Sequence, residues 1–361
     1  MGVPHPFPRS LRKGWEARLS ARNPLSKYAG AEPRAAELPS QSILPREMPS
    51  PSDEIPKMYP ASTAEEFWGF LSPQKFLFGP HERPIFRGQA NGELGLEPSI
   101  LRNKNHPVRS SVLFRSSSEV SENQIVAEIY GLHIFAVYCD SSGLKIPGDS
   151  EEFRRKYLDP TKVVDSFILH RRVWPSNEYF EIMALAQHYG LPTRLLDWSR
   201  RSHVAAYFAA SGALRDGKRR GRLAVWALNT ENIKFNLKNV EVIPVPGSNN
   251  ANIAAQSGLF TLLRQEYTMG KPFKGPDCLV DYARSCGSAD LAKVTLPVLE
   301  APKIIDLCER HGVTAATLYP DFYGAAKATL DSLACWSKSE WTDGRDIRAQ
   351  VTPARAKPST K

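Results

Sequence analysis

The chain has few cysteines and no long apolar run, and both absences exclude classes of protein. Its 361 residues include five cysteines, none of them spaced as CxxC, so neither a disulfide framework nor a zinc ribbon is expected. No apolar stretch approaches the roughly 20 residues that a membrane-spanning helix needs, and the first residues lack the apolar segment of a signal peptide. The sequence therefore predicts a cytoplasmic protein with free thiols and no membrane contact.

The motifs of several common catalytic sites are also missing. The sequence contains no P-loop and no GxGxxG stretch after a strand, so a phosphate-cradling loop is not indicated. Its eight histidines include no HExxH or comparable ligand spacing, and we expect no bound metal. A GxSxG nucleophile elbow is absent as well. The sequence leaves the oligomeric state open.

Charge is the first positive signal. The formal net charge is +9 and the isoelectric point is about 9.3, which permits a polyanionic partner or an anionic ligand. Much of the excess lies near the two ends, and the basic segment from Arg215 to Arg222 is typical of a solvated loop. We therefore expect an anionic small-molecule ligand, whereas no motif supports binding to nucleic acid.

Composition divides the chain into three parts. Residues 1–58 are rich in Pro, Ser, Arg and Glu and cannot offset their ordering entropy with buried apolar surface, so we predict a disordered basic arm. Residues 59–336 carry the periodic apolar patterns of one folded domain, and 337–361 form a polar tail. Helical and strand patterns mix without strict βαβ alternation. This predicts an α+β fold with one core of helices packed on a central, largely antiparallel sheet.

The first polar cluster is in "RPIFRGQANGELGLEP", which predicts a β-hairpin around Asn91-Gly92. On such a strand Ile85, Arg87 and Gln89 share one face. A guanidinium next to Gly88 suits a place where a phosphate or carboxylate comes close to the backbone. The alternative is an arginine exposed on an edge strand.

The second cluster is in "MALAQHYGLPTRLLDWS", residues 183–199. Gly190 can supply the left-handed residue that ends a helix, which makes the stretch a tight connection between two buried helices. Each polar side chain has a structural explanation: a helix terminus for His188, an ion pair between Arg194 and Asp197, and carbonyl contacts for Gln187. Four such groups in one connection nevertheless favour a functional site.

Together these segments resemble the FRG domain family. The resemblance covers Phe86-Arg87-Gly88-Gln89, "QHYGLPTRLLDWS" with "VAAYFAA" after it, "AAQSGLFT" and "HGVTAATLYPDFYG". Its "FRG" strand is similar to a strand of ADP-ribosyltransferase-like folds, whose enzymes cut the bond between nicotinamide and ribose in NAD. The resemblance implies that NAD is a candidate substrate.

Roles for individual residues follow from that resemblance. Arg87 would anchor the anionic part of the ligand, with Gln89 beside it, and Tyr207 or Tyr189 would supply an aromatic surface. Asp197 would stabilise developing positive charge, with Arg194 as its orienting partner. The remaining candidates are His188 as a catalytic group, Gln187 and Gln256 as binding residues, and Glu266 or Asp321 as alternative carboxylates. The rival hypothesis is a non-catalytic module that binds a nucleotide, nucleic acid or protein, such as a defence sensor.

Overall fold

The computed structural model describes residues 55–73, 77–79, 82–102, 120–159, 162, 173–217, 220–244 and 251–336. The tail predicted at 337–361 and the predicted arm up to residue 54 lie outside the described residues. The first strand begins at Lys57, two residues inside the segment predicted to be disordered. No helix in the described part of the chain is both long enough and apolar enough to cross a bilayer.

Nine strands and twelve α-helices make up the described fold. The strands are β1 (Lys57–Pro60), β2 (Ile85–Gln89), β3 (Val173–Trp174), β4 (Leu195–Ser199), β5 (Arg222–Leu228), β6 (Val240–Pro244), β7 (Gly258–Leu263), β8 (Gln265–Glu266) and β9 (Leu291–Pro297). The helices are α1 (Ala64–Leu71), α2 (Ser99–Arg102), α3 (Ser121–Ser141), α4 (Glu151–Phe153), α5 (Phe180–His188), α6 (Ser202–Asp216), α7 (Ile233–Asn236), α8 (Ala251–Gln256), α9 (Leu279–Ser285), α10 (Ala301–Arg310), α11 (Ala315–Leu318) and α12 (Phe322–Trp336). A π-helical turn follows α4 at Arg154–Leu158, and 3-10 turns precede α5 and α10.

Seven strands form the central sheet in the order β1-β9-β5-β2-β4-β7-β6. Strands β1 and β9 run parallel, and all other neighbours in this sheet are antiparallel. Strands β3 and β8 form a separate pair. The predicted α+β class with a largely antiparallel sheet is confirmed.

Helices cover both faces of the sheet, which explains why β5 reads as an almost continuous apolar run. Its Leu223, Val225 and Ala227 face a core shared with α1, α6 and α10. Its Trp226 and Leu228 point to the opposite face, into a core shared with α9. Helices α3 and α5 pack over the half of the sheet made by β4, β7 and β6.

The sheet opens between β2 and β4. Strand β2 pairs with β5 over five residues, and β4 pairs with β7 over five residues. Between β2 and β4, by contrast, the described ladder contains the single pair Phe86 and Ser199. The two halves of the sheet therefore diverge beyond that pair, and the helices above them leave room at the gap.

Helix boundaries follow the local signals in the sequence. The Thr63 side chain accepts a hydrogen bond from the backbone N–H of Glu66 at 3.2 Å, and the Glu66 carboxylate accepts one from the N–H of Ser62 at 2.7 Å. These two contacts cap the start of α1. Helix α5 ends before Gly190, which has a φ of +92°. The predicted left-handed helix end is confirmed.

Two local predictions are wrong. Residues after Asn91-Gly92 form no strand, because β2 pairs with β4 and β5 instead and the Gly92 N–H donates to the carbonyl of Arg222 at 2.6 Å. The stretch before α6 is not merely a connection between helices, since it contains β4 in the middle of the sheet.

Candidate functional site

A cavity of about 340 Å³ lies at the opening between β2 and β4. One wall comes from β2 and α6, with Phe86, Arg87 and Phe208. The facing wall comes from the end of α5 and from β4, and α8 and the residue after α11 complete the boundary. The lining residues from these elements are Gln187, His188, Asp197, Trp198, Ser199, Gln256 and Tyr319.

Gly88 brings β2 against α6. A Cβ atom at this position would lie 2.0 Å from the carbonyl oxygen of Ala205 and 2.8 Å from the backbone nitrogen of Ala209. Glycine is therefore needed for the approach of the helix to the strand. The sequence indicated a close approach at this glycine, and its neighbour in the structure is helix α6. Gly88 also lines the cavity, so the approach of a ligand to its backbone stays a prediction.

Arg87 bridges the gap between the two strands. Its Nη1 donates to the backbone carbonyl of Asp197 at 2.9 Å and to the Oδ2 of the same residue at 3.1 Å. The side chain is 15% exposed, and its Nε is buried with no hydrogen-bond partner among the described residues. A buried N–H without an acceptor costs about 1–3 kcal/mol, and it is the exposed part of the guanidinium that is open to a ligand in the cavity.

Asp197 presents a fixed carboxylate at the cavity. Its Oδ1 accepts from Gln187 Nε2 at 2.6 Å, while its Oδ2 accepts from Arg87. The Asp197 side chain is 59% exposed. Each oxygen is thus held by one donor, and both keep an exposed side.

Gln187 is itself held in place by Thr193. The Thr193 hydroxyl donates to Gln187 Oε1 and accepts from the backbone N–H of Leu195 at 3.1 Å. This chain of hydrogen bonds fixes which end of the Gln187 amide faces Asp197. The amide nitrogen is therefore the group that contacts the carboxylate.

His188 is kept neutral near this carboxylate. Burial lowers the pKa of its imidazole, and the charge of Asp197 only partly opposes that shift. A ring nitrogen lies 3.3 Å from the side-chain nitrogen of Asn252. A neutral imidazole at this position can accept a proton at pH 7.

An aromatic corner lies beside these polar groups. The rings of Phe208 and Tyr319 meet edge to face, with centroids 6.5 Å apart. Burial raises the pKa of Tyr319, and the neighbouring Tyr323 and the charge of Asp197 add to the shift. The Tyr319 hydroxyl is therefore protonated and close enough to sense the Asp197 carboxylate.

Arg102 is a second cation close to Arg87. Its Nη2 donates to the carbonyl of Glu97 at 3.0 Å. Partial burial and the charge of Arg87 lower the pKa of Arg102, while Glu97 and Asp197 raise it. Two guanidinium groups and the two carboxylates of Glu97 and Asp197 thus lie near one another on this side of the molecule.

Five of the eight predicted site residues line the cavity: Arg87, Gln187, His188, Asp197 and Gln256. The Gln256 side chain donates to the backbone carbonyl of Leu318 at 3.2 Å. The backbone carbonyl of Gln256 accepts from the hydroxyl of Ser199 at 2.8 Å. The structure therefore brings together segments that are far apart in the sequence. Gln89, Arg194 and Tyr207 are not among the lining residues.

Arg194 does not pair with Asp197. It is 2% exposed, and its Nε donates to both oxygens of the buried Glu128, at 2.8 and 2.9 Å. Its guanidinium carbon lies 4.5 Å from the centre of the Phe273 ring. The expected Arg194–Asp197 pair is wrong. Successive side chains of a strand point to opposite faces of the sheet, so Arg194 and Asp197, three positions apart, lie on different sides. Arg194 points into the core and Asp197 points to the cavity.

Gln89 and Tyr207 serve the core. Gln89 accepts from the indole N–H of Trp226 at 2.7 Å and donates to the carbonyl of Gly95 at 3.0 Å. Tyr207 is 1% exposed and donates its hydroxyl proton to Asp331. The predicted placement of these two residues in the ligand site is therefore wrong.

The other candidates for the aromatic surface and the carboxylate lie elsewhere. Tyr189 is 71% exposed. Glu266 pairs with Lys274 at 3.2 Å on the small two-stranded sheet. Asp321 accepts from the N–H of Gly324 at 2.8 Å, at the start of α12. None of the three lines the cavity, which leaves Asp197 as the carboxylate there.

Phe208 and Tyr319 were missed as site residues. Phe208 follows the helical apolar spacing of α6, so its position on the helix gave no reason to separate it from the core. Tyr319 belongs to the "TLYP" segment of the FRG resemblance, which assigns it no role. The signal for Tyr319 was its place in that motif, but only the fold shows that it faces Asp197.

Comparison with known families adds one finding. Residues 82–218 match the family model of the FRG domain. This chain carries an FRG domain. The matched range is a little over a third of the chain and supplies Arg87, Gln187, His188, Asp197 and Phe208 to the cavity.

The cavity extends beyond the matched part of the FRG domain, since Gln256 and Tyr319 follow it in the sequence. No curated protein matches the chain, and no solved structure matches it. Among the described residues, no group of three or more His, Cys, Asp or Glu side chains could hold a metal ion.

Proposed function

We propose that this FRG-domain protein is an enzyme that acts on a nucleotide-like ligand, with NAD as the leading candidate. The reaction would be ADP-ribosyl transfer or glycosidic cleavage. The observation that carries the proposal is the 3.1 Å contact between Arg87 and Asp197 at the cavity. Arg87 can hold the anionic part of the ligand, and the carboxylate beside it can stabilise a cationic transition state, so this pair meets both demands of the cleavage reaction.

The chemistry would divide between these groups. Breaking the bond from ribose C1 to the nicotinamide nitrogen leaves the bonding pair on that nitrogen, so neutral nicotinamide departs. Positive charge then develops on the ribose, and Asp197 would stabilise it. Water, or an acceptor in the transfer reaction, would add to C1, and His188 is a neutral base that could take the released proton. Arg87 would hold the anionic part of the substrate.

Two further observations support a small-molecule site and a cytoplasmic location. The cavity volume of about 340 Å³ falls within the range of about 300–1,000 Å³ that is usual for small-molecule sites. All five cysteines are free thiols, which supports our proposal of a cytoplasmic location because a reducing compartment keeps thiols unpaired.

The test is release of nicotinamide from NAD, with and without a cell extract as a source of acceptor. We expect wild-type protein to release nicotinamide and Asp197→Asn to lose about 100-fold or more of the rate, since removal of one transition-state electrostatic contact typically costs that much. Asp306→Asn is the matched control, because Asp306 pairs with Arg310 on the outer surface of α10 and should leave the rate unchanged.

Circular dichroism would show that both variants keep their fold. If wild-type protein binds NAD and releases no nicotinamide under the same conditions, catalysis is contradicted and the binding module is favoured.

A further inference from the structure

The Asp197 carboxylate has two free acceptor directions, one on each oxygen. An ionised carboxylate offers about four lone-pair sites. Among the described residues, Gln187 occupies one site on Oδ1 and Arg87 occupies one on Oδ2. Since the Asp197 side chain is 59% exposed, the remaining site on each oxygen is open to a ligand.

Two adjacent hydroxyl groups fit that arrangement. A carboxylate whose two oxygens each accept one hydrogen bond matches a vicinal diol, and carboxylates bind ribose hydroxyls in this way in nucleotide-binding folds. Gln187, which is fixed by Thr193, stops the Asp197 carboxylate from rotating, so its two oxygens keep fixed directions towards the ligand. The cavity is therefore preorganised for a donor pair and not for a single cation.

The neighbouring groups specify the rest of such a ligand. The positive charge of Arg87 lies beside the Asp197 carboxylate in the cavity lining, so the ligand should present an oxygen close to its hydroxyls. The edge-to-face pair of Phe208 and Tyr319 offers a half-buried surface for a planar ring. Hydroxyls, an oxygen acceptor and a planar ring together describe a ribonucleoside.

The size and the charge narrow the class further. About 340 Å³ accommodates one nucleoside and leaves little room for a second, so a dinucleotide would extend out of the cavity. Arg87 is a cation in the cavity lining, and a phosphate on the ligand would give it an anionic partner in addition to Asp197.

We propose that the cavity recognises one ribonucleoside phosphate unit through its 2′,3′-diol, with the two oxygens of Asp197 accepting from the two hydroxyls. The Arg87 guanidinium attracts an oxygen of the sugar or its phosphate, and Phe208 with Tyr319 holds the base. This proposal names the part of the substrate that the site binds. It rests on the proposed function for the location of the site and for nothing else.

The experiment is calorimetric titration of the full chain with AMP, 2′-deoxy-AMP and 3′-deoxy-AMP, and with UMP and 2′-deoxy-UMP. We expect each ribonucleotide to bind at least tenfold more tightly than its deoxy forms. In Asp197→Asn the difference should disappear, because an amide presents one acceptor oxygen instead of two. Asp306→Asn should keep the wild-type discrimination.

Equal binding of ribose and deoxyribose forms would overturn the proposal, as would a failure of all five compounds to bind at millimolar concentration. Discrimination that persists in Asp197→Asn would also overturn it. If discrimination depends on Asp197 but NAD yields no nicotinamide, the catalytic proposal fails alone. If nicotinamide is released but the deoxy compounds bind equally well, only the diol proposal fails.

Discussion

At the scale of single residues, Arg87 has a structural role in the sheet and a chemical role at the cavity. Its contact with the carbonyl of Asp197 replaces a ladder hydrogen bond that β2 and β4 do not make at this point. The same side chain leaves its Nε buried and unsatisfied among the described residues. The guanidinium also places a positive charge at the cavity beside Asp197, where it can attract an anionic ligand.

His203 gives the fold a dependence on pH that is independent of the cavity. Its ring stacks on Trp68 with centroids 4.0 Å apart, and burial, with the nearby His311 and Arg201, lowers its pKa to about 4 from an ordinary value of 6.5. The unfolded chain therefore binds the proton more readily than the folded one. The stability from the neutral ring is fully present above pH 6.5 and is lost as the pH falls towards 4.

We expect the free energy of unfolding to fall by about 1 kcal/mol between pH 7 and pH 5 from this group, allowing for its partial exposure. Urea denaturation at the two pH values measures it. His203→Gln, which cannot titrate, should show a smaller fall than wild type. An equally steep fall in that variant would contradict the assignment to His203.

At the scale of elements, the contact between β2 and α6 positions the Arg87 side of the cavity. A methyl group at position 88 would overlap the helix backbone at Ala205, and backbone cannot move aside as a flexible side chain can. We expect Gly88→Ala to destabilise the protein by about 3 kcal/mol or more. Thermal and urea denaturation would measure the loss.

Gly69→Ala is the matched control, since a Cβ there meets nothing within 4 Å and the position lies inside α1. That change should be neutral or stabilise by about 0.5–1 kcal/mol, through helix propensity. Similar stabilities for the two variants would show that the close approach of α6 to β2 does not matter energetically.

A buried ion pair within α12 also contacts α6, through the hydroxyls of Tyr207 and Ser211. Lys327 and Asp331, both under 10% exposed, lie 3.2 Å apart, and the Lys327 ammonium also donates to the hydroxyl of Tyr207 at 3.0 Å. Burial lowers the pKa of Lys327, which the charge of Asp331 opposes. The cost of removing one partner is large because the other charge stays buried.

Lys327→Met should therefore destabilise by about 3–5 kcal/mol. Lys303→Met is its control, because Lys303 pairs with Glu300 at 3.1 Å on the surface and should cost less than about 1 kcal/mol. The double change Lys327→Met with Asp331→Leu should recover part of the loss. A cost for Lys327→Met no larger than that of the control would contradict a structural role for the pair.

Local signals predicted the helices better than the strands. Helix α1 follows its cap at Thr63, and α5 ends at Gly190, because both signals act within a few residues. The pairing of β2 depends on partners more than 100 residues away, so the short Asn91-Gly92 signal predicted a hairpin that the sheet does not contain. Strand β4 was missed because its apolar residues follow so closely on a helix that the segment reads as a turn.

At the scale of the whole molecule, the cavity results from a sheet that diverges in its middle. The segments of Arg87 and Asp197 meet because β2 and β4 are neighbours in the sheet order, and their single paired position leaves the space beside them. The polar residue types gave the approximate location of the site. They did not show which side chains turn inward, so Arg194 and Gln89 were included although both serve the core.

Whether the ligand binds between β2 and β4 is tested most directly by the nuclear magnetic resonance signal of the Arg87 Nε–H group. Arginine side chains labelled with ¹⁵N would be observed during addition of NAD, with Arg87→Lys identifying the signal by its loss. We predict that this one resonance moves once NAD is bound, because an anionic ligand beside the Arg87 guanidinium changes its electrostatic surroundings. If calorimetry shows that NAD is bound and the Arg87 signal stays where it was, the ligand lies elsewhere and the site between β2 and β4 is contradicted.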